Sequence, residues 1–291
     1  MQFISYLING ISLGSVYAII ALGYTMVYGI AKMLNFAHGD IIMVGSYVVY
    51  IAVSSLGLNP ILSVVISAIV CLVLGVVIEK VAYKPLRHAS KLAVLITAIG
   101  VSYFLQNMAL LIFGANTKSF TSVVPAVSVK LGGITITAET IVTIVACIVI
   151  MICLTLFINK TKAGHAMQAV SEDQDAAQLM GINVNATISL TFAIGSALAA
   201  VAGVLLCSAY PSLTPYTGAM PGIKAFVAAV FGGIGSIPGA LIGGILLGVI
   251  EILSKAYISS QLSDAIVFGV LIVVLVVKPT GILGKVIQEK V

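Results

Sequence analysis

Glu172, Asp173 and Asp175 put three of the chain's nine acidic residues within four positions, in the stretch SEDQDAAQLMG (Ser171–Gly181). A second polar group, Asn35, His38 and Asp40, surrounds Gly39 in KMLNFAHGD (Lys32–Asp40). Gln106 and Asn107 form a third, inside an otherwise apolar run. These residues offer recognition rather than bond making. A cluster of acids on a short helix suits a docking face or an amphipathic helix lying on the membrane surface. A helix broken inside the bundle exposes backbone amides that can meet a carboxylate and carbonyls that can meet an ammonium, and so a ligand that carries both charges. Catalysis would need a nucleophile with a base, or paired carboxylates, and neither is apparent. The three histidines, His38, His88 and His165, are scattered, and no acidic pair lies within an apolar run. No metal site is expected, because no ligand spacing accompanies any histidine and C-x-x-C is absent. Cys71, Cys147, Cys153 and Cys207 all fall in apolar runs, where thiols behave as small hydrophobes.

The elements that must position these groups are membrane spans. The 291 residues are 60% hydrophobic and 8% charged, too few charges to cover a soluble surface. A bilayer core of about 30 Å needs about 20 apolar residues per helix, and helices satisfy their own backbone in lipid. The uncharged runs are Ile4–Ala31, Ile41–Leu58, Pro60–Ile78, Leu92–Phe113, Thr140–Ile158, Thr187–Ala209, Ile223–Leu253 and Leu262–Val277. The expected fold is therefore an all-α integral membrane protein, a polytopic bundle of about eight transmembrane helices in one domain, residues 1–291. The N-terminus lacks a basic segment and its apolar run is too long for a cleaved signal, so the first helix is expected to stay in the membrane.

Basic residues set the orientation. Lys80, Lys84, Arg87 and Lys91 put the Glu79–Lys91 loop in the cytoplasm. Two spans later, Asn159–Ala186 is cytoplasmic as well, and Gly114–Ala138 is external. If every run crosses once, the tail with Lys278, Lys285 and Lys290 is external, against its charge. A re-entrant pair of half-helices within Ile223–Leu253 would return it to the cytoplasm.

The acidic stretch reads as a short helix, Glu172–Met180. Ser171 and Gln174 fit a capping box, Glu172 and Asp173 suit the positive end of the helix dipole, and Gly181 suits the left-handed position that ends a helix. Asp173, Ala176, Ala177 and Met180 would share a face. The KMLNFAHGD break reads in two ways: as a polar turn at the interface, or as an interruption inside the bundle. Gly235, Gly239 and Gly243 repeat every four residues, the spacing that lets helix backbones approach in lipid, and Pro238 breaks or kinks the helix they sit in. GGIGSIPG lacks the Lys-Ser/Thr of a nucleotide-binding loop. Lys224 and Glu251 are expected to snorkel from span ends.

DAAQLMG (Asp175–Gly181) resembles the E-A-A-x-x-x-G cytoplasmic loop of ABC importer permeases, with Asp175 in place of Glu. LNFAHGDIIMVGSYV (Leu34–Val48), GGIGSIPGALIGGILLG (Gly232–Gly248) and GISLGSVYAIIALGYTMVYGI (Gly10–Ile30) resemble the branched-chain amino acid (LIV-type) permeases. The chain is thus similar to the LivH-like permease subunit of such importers, over most of its length. The resemblance implies a non-enzymatic transport subunit in a bacterial inner membrane. It implies separate ATP-binding cassette subunits that carry the ATP and Mg, a homologous second permease and an extracellular substrate-binding protein. It implies that Glu172, Asp173, Asp175, Ala176, Ala177, Met180 and Gly181 dock on the ATPase. Branched-chain amino acids are the implied substrate. The polar break and the polar groups at membrane depth, Asn35, His38, Gly39, Asp40, Gln106 and Asn107, are the expected pathway. The rival readings are a permease for urea or short amides, and a passive channel in which the acidic helix is inert.

Overall fold

The computed structural model describes residues 2–87, 89–125, 127–131 and 134–284. His88, Lys285 and Lys290 lie outside the described residues. The protein is an all-α polytopic membrane protein. Among the described residues, six helices are long and apolar enough to cross a membrane and three more are apolar but shorter. In chain order the helices are α1 (Gln2–Ala31), α2 (His38–Ser54), α3 (Pro60–Ile78), α4 (Lys91–Phe113), α5 (Ala138–Lys160), α6 (Lys162–Glu172), α7 (Gln174–Leu179), α8 (Val184–Ala209), α9 (Ala219–Gly232), α10 (Ile237–Tyr257) and α11 (Ser263–Val277). The Gly114–Ala138 loop carries a small antiparallel hairpin, Ser128–Leu131 with Ile134–Thr137.

Local chemistry sets many of these boundaries. Pro60 opens α3 behind an Asn59 cap, the hydroxyl of Ser90 caps α4 and that of Thr137 caps α5. The long apolar run Ile223–Leu253 is two helices. They are separated at Gly233 and Gly235, whose φ values of 107° and 93° no β-branched residue would adopt. Pro238 lies in the first turn of α10 behind the Ser236 cap, so it starts that helix rather than kinking it. The glycine ladder serves packing. Gly243 faces the Ala228 carbonyl, and Gly232 and Gly239 face each other, so α9 and α10 form a tight antiparallel pair.

α1 is the axis of the bundle and is buried over most of its length. It runs antiparallel to α10. A Cβ on Gly14 would stand 2.6 Å from the Cα of Ile245, and one on Gly244 would stand 2.5 Å from the Cα of Ala18. Side chains cannot occupy such spaces, so glycine makes the approach.

The architecture is two sets of elements run in opposite senses. α1 is followed by the non-helical residues 32–37 and then by α2, which starts inside the bundle, not at an interface. Its first residue, His38, packs against Gly23, about two turns from the end of α1. α8 is antiparallel to α1, with Gly195 against Gly23. It is followed by the non-helical residues 210–218 and then by α9, which also starts inside. The two starts meet: a Cβ on Gly39 would lie 2.7 Å from the Gly218 carbonyl oxygen, and one on Gly222 would lie 2.7 Å from the Cα of Gly39. At 17 and 14 residues, α2 and α9 span about 25 and 21 Å, short of the bilayer core. After α11 the chain returns to the α9–α10 turn, where the amides of Ile282 and Leu283 donate to the carbonyls of Phe231 and Gly232. That turn lies beside Gly29, at the same end as the α6–α7 segment, whose Gln174 reaches the carbonyl of Ile30. With the basic loops inside, Lys278 therefore lies on the cytoplasmic side.

Gly14→Val or Gly244→Val should push α1 and α10 apart at a cost of about 1–3 kcal/mol. The expected result is a Tm several degrees lower in a thermal-shift assay. Gly100→Val, on the open face of α4 with no atom within 4 Å of its Cβ position, should leave Tm nearly unchanged.

Candidate functional site

The acidic stretch is built differently from its sequence reading. Ser171 is not a cap: it lies in the last turn of α6, and its hydroxyl donates to the Gln168 carbonyl. Asp173 is the junction. It closes α6, adopts an extended conformation (φ −154°, ψ 116°) and caps α7 by accepting from the amides of Asp175 and Ala176 at 2.9 Å. Glu172 therefore ends one helix instead of starting the other. Gly181, at φ 84°, closes α7. Its amide donates to Gln178 and that of Ile182 to Ala177, the paired bonds of a Schellman turn.

The face that α7 presents also differs. Ala177 is buried and anchors the helix to the bundle, so it does not share a surface with Ala176. Glu172, Asp173, Asp175 and Ala176 are exposed, and Leu179 and Met180 project at 88% and 83% exposure. An acidic rim with an apolar tip stands clear of the bundle. Behind it, α6 buries Gly164, Met167 and Val170 against α5, α1 and α8. Sequence reading missed α6 because its mixed polar composition has no long apolar run. Its signal was the Thr161 cap, whose hydroxyl accepts from Gly164.

The residues around Gly39 come together at depth. Asn35, His38 and Asp40 are all buried. The Asp40 carboxylate lies in the first turn of α2, where the helix dipole favours it, and accepts from the Gln106 side chain at 2.8 Å. Tyr83 donates to Asn35 Oδ1 at 2.9 Å. The His38 ring packs on Tyr24, with centroids 4.6 Å apart. Asn35 Nδ2, His38 Nε2 and Thr25 Oγ1 are buried without partners among the described residues. A cavity of about 10 Å³ beside Asn35, walled by Tyr24, Tyr28, Met33 and Phe226, has room for about one water. Asn107 does not join this group. It faces outward from α4 and donates back to the Tyr103 carbonyl at 2.7 Å.

Lys224 and Glu251 do not snorkel. They pair inside the protein at 2.8 Å. Lys224 also meets Asp264 at 2.7 Å, and Glu251 accepts from Lys255 at 2.6 Å and from the Tyr17 hydroxyl at 2.9 Å. Two positive and two negative charges thus tie α1, α9, α10 and α11 together and cancel. The signal for this cluster was in the sequence, since ionisable residues within spans seldom stand alone. Next to it is a crevice of about 610 Å³ between α1, α5, α8 and α10, at the end opposite the acidic helix. Asn9, Ser12, Glu139, Thr143 and Lys255 line it, so both signs of charge face the opening.

The profile of the family described as "Branched-chain amino acid transport system / permease component" matches residues 6–275. The chain belongs to this permease family. It is 46% identical over 302 residues to the "High-affinity branched-chain amino acid transport system permease protein BraD" of Pseudomonas aeruginosa, covering 100% of this chain and 98% of that protein. It is 45% identical over 304 residues to the corresponding LivH of Escherichia coli K12, with the same coverage. A probable LivH of Methanocaldococcus jannaschii is 32% identical over 287 residues, covering 91% of this chain and 88% of that one. The protein is a multi-pass membrane transport permease. The resemblance read from DAAQLMG, LNFAHGD and the glycine ladder agrees with the family match.

Glu251→Leu should destabilise the folded protein by about 3 kcal/mol, because it leaves the buried Lys224 ammonium with only the half-exposed Asp264 as partner. Adding Lys224→Met should restore part of the loss, since Asp264, 44% exposed, can then hydrate. Strictly additive losses in Tm would show that the charges are not coupled.

Proposed function

We propose that the chain is the membrane-spanning subunit of an ABC importer that translocates branched-chain or related hydrophobic amino acids, driven by separate ATPase subunits. The observation that carries this is the near-complete match to permeases of that transport system, together with an exposed acidic helix on the cytoplasmic side. The chain would work with a second permease and a substrate-binding protein in a bacterial inner membrane. ATP and Mg would belong to the ATPase subunits.

Movement would enter at Glu172, Asp173, Asp175, Ala176, Leu179 and Met180. The acidic rim would steer a basic groove of the ATPase, and Leu179 and Met180 would fill it. Gly181 would fix the exit of the helix, and Ala177 would hold it to the bundle. Because α6 and α7 are clamped between α5 and α8, a push on α7 would tilt those spans rather than bend a loose loop. The external crevice would receive the amino acid, with Glu139 facing its ammonium and Lys255 its carboxylate. The pathway would pass near Asn35, His38, Gly39, Asp40 and Gln106, where two half-helices meet at Gly39, Gly218 and Gly222. Asn107 would take no part from within this chain.

Leucine uptake into proteoliposomes holding the chain with its ATPase, second permease and binding protein tests this reading. Uptake should require ATP. Downhill flux through the chain alone would favour a passive channel instead. Leu179→Asp should reduce uptake by about tenfold or more and weaken co-purification with the ATPase, as loss of a central apolar anchor does at other interfaces. Unchanged co-purification would count against the docking role.

A further inference from the structure

A second groove, about 460 Å³, opens where α3 and α8 meet the cytoplasmic side. Its two ends differ in chemistry. Towards the membrane the wall is Leu72, Val76, Leu190 and Ala193. Towards the cytoplasm it is Lys80, Lys84 and the polar residues Asn183, Asn185 and Ser189. The apolar part spans about one turn of α3 (Leu72 to Val76) and one of α8 (Leu190 to Ala193), roughly 6 Å along the bilayer normal, enough for the first carbons of an acyl chain.

The lysines lie four apart across the π-helical turn Glu79–Tyr83, and both are exposed. Neither has an acidic partner among the described residues. The one acid nearby, Glu79, is buried and occupied on both oxygens: Arg87 holds Oε1 and the Ser189 hydroxyl donates to Oε2 at 2.6 Å. Arg87 also donates to Asn185 Oδ1, which leaves the Asn185 amide as a donor. The groove thus offers two ammonium groups and an amide at the headgroup level, with an apolar slot directly above. No carboxylate lines it.

We propose that this groove binds an anionic phospholipid of the inner leaflet. Lys80 and Lys84 hold the phosphate, and the first carbons of one acyl chain lie along Leu72, Val76 and Leu190. Basic pockets between spans on the cytoplasmic side suit such headgroups. Charge complementarity and the amphiphilic shape favour a lipid over a free anion, which has no use for the apolar slot. They also favour it over a protein surface, which would have to enter the headgroup layer. The site borders the start of α8, so a bound lipid would brace the span that follows the acidic helix.

The test is native mass spectrometry of the full chain in mild detergent, titrated with phosphatidylglycerol or phosphatidylcholine, with inorganic phosphate as a competitor. Wild type should retain phosphatidylglycerol preferentially. Lys80→Gln/Lys84→Gln should lower that retention by on the order of tenfold while leaving Tm unchanged, because both side chains are exposed. Leu190→Ser should also lower it. If the lysine variant keeps the preference, the proposal fails. It fails equally if millimolar phosphate displaces the lipid and Leu190→Ser has no effect, which would mark a free-anion site. Cysteines at 80 and 84 that crosslink to a partner subunit in the assembled transporter, with lipid excluded, would likewise overturn it.

Discussion

A polar group at membrane depth has no water to turn to, and the whole bundle is organised by that constraint. The chain breaks its helices twice inside the protein and carries Lys224 and Glu251 at depth. It can do so because most of these demands, the charged ones above all, are met from within. The four charges of the ionic cluster cancel, with Tyr17 donating to the carboxylate from the central helix. Asp40 sits where the α2 dipole favours it and takes the Gln106 amide. Glycine does the remaining work by letting backbones touch where no side chain would fit.

The same constraint explains the reversed pairing of the two halves. A half-helix that starts inside a bilayer exposes amides with no intrahelical acceptor. Such a start is tolerable only where protein surrounds it, and the start of α2 is enclosed by α8 and α9 and by Gly23 and Tyr24 of α1, which meet His38. The start of α9 is enclosed by α1, α2 and α10 in turn. Each break therefore lies in the shelter of the other half. Helices α3 and α10, the long partners of the two half-helices, pack on α8 and α1 respectively, so the two central helices α1 and α8 are gripped from both sides.

How much of this was legible varied with the kind of signal. Pro60–Ile78 and the span ending at Phe113 were read correctly, because lipid-facing helices must be apolar and their caps are local. Gly181 was legible for the same reason: a left-handed residue after a helix is a property of the chain itself. The depth of Asn35, His38 and Asp40 was not decided, since hydropathy sees only a polar interruption and cannot tell an interface from a buried break. Ser171 looked like a cap until Asp173, two residues on, proved to hold the amides. Lys224 and Glu251 read as span ends because, although charges within spans seldom stand alone, nothing local names a partner 27 residues away. The exposed tip of Leu179 was masked by the adjacent alanines, one of which turned out to be the anchor.

These contacts differ in how easily they part. Breaking the ionic cluster strands charges in low dielectric, at a cost of several kcal/mol. Separating α1 from α10 empties a row of glycine contacts along most of both helices. The junction of Gly39 with Gly218 and Gly222 is different in kind. There backbone meets backbone at Gly39, Gly218 and Gly222, the Phe36 and Phe226 rings pack at 5.6 Å, no ion pair crosses it among the described residues, and three buried polar atoms nearby lack partners among those residues. Opening it to water would hydrate those groups instead of stranding them, which offsets part of the lost contact. A bundle locked by charge towards one side and by glycine ridges along its axis therefore yields most easily at the meeting of its two half-helices. That junction lies between α1 and α8, and both of these helices also contact the segment that carries the exposed acidic helix.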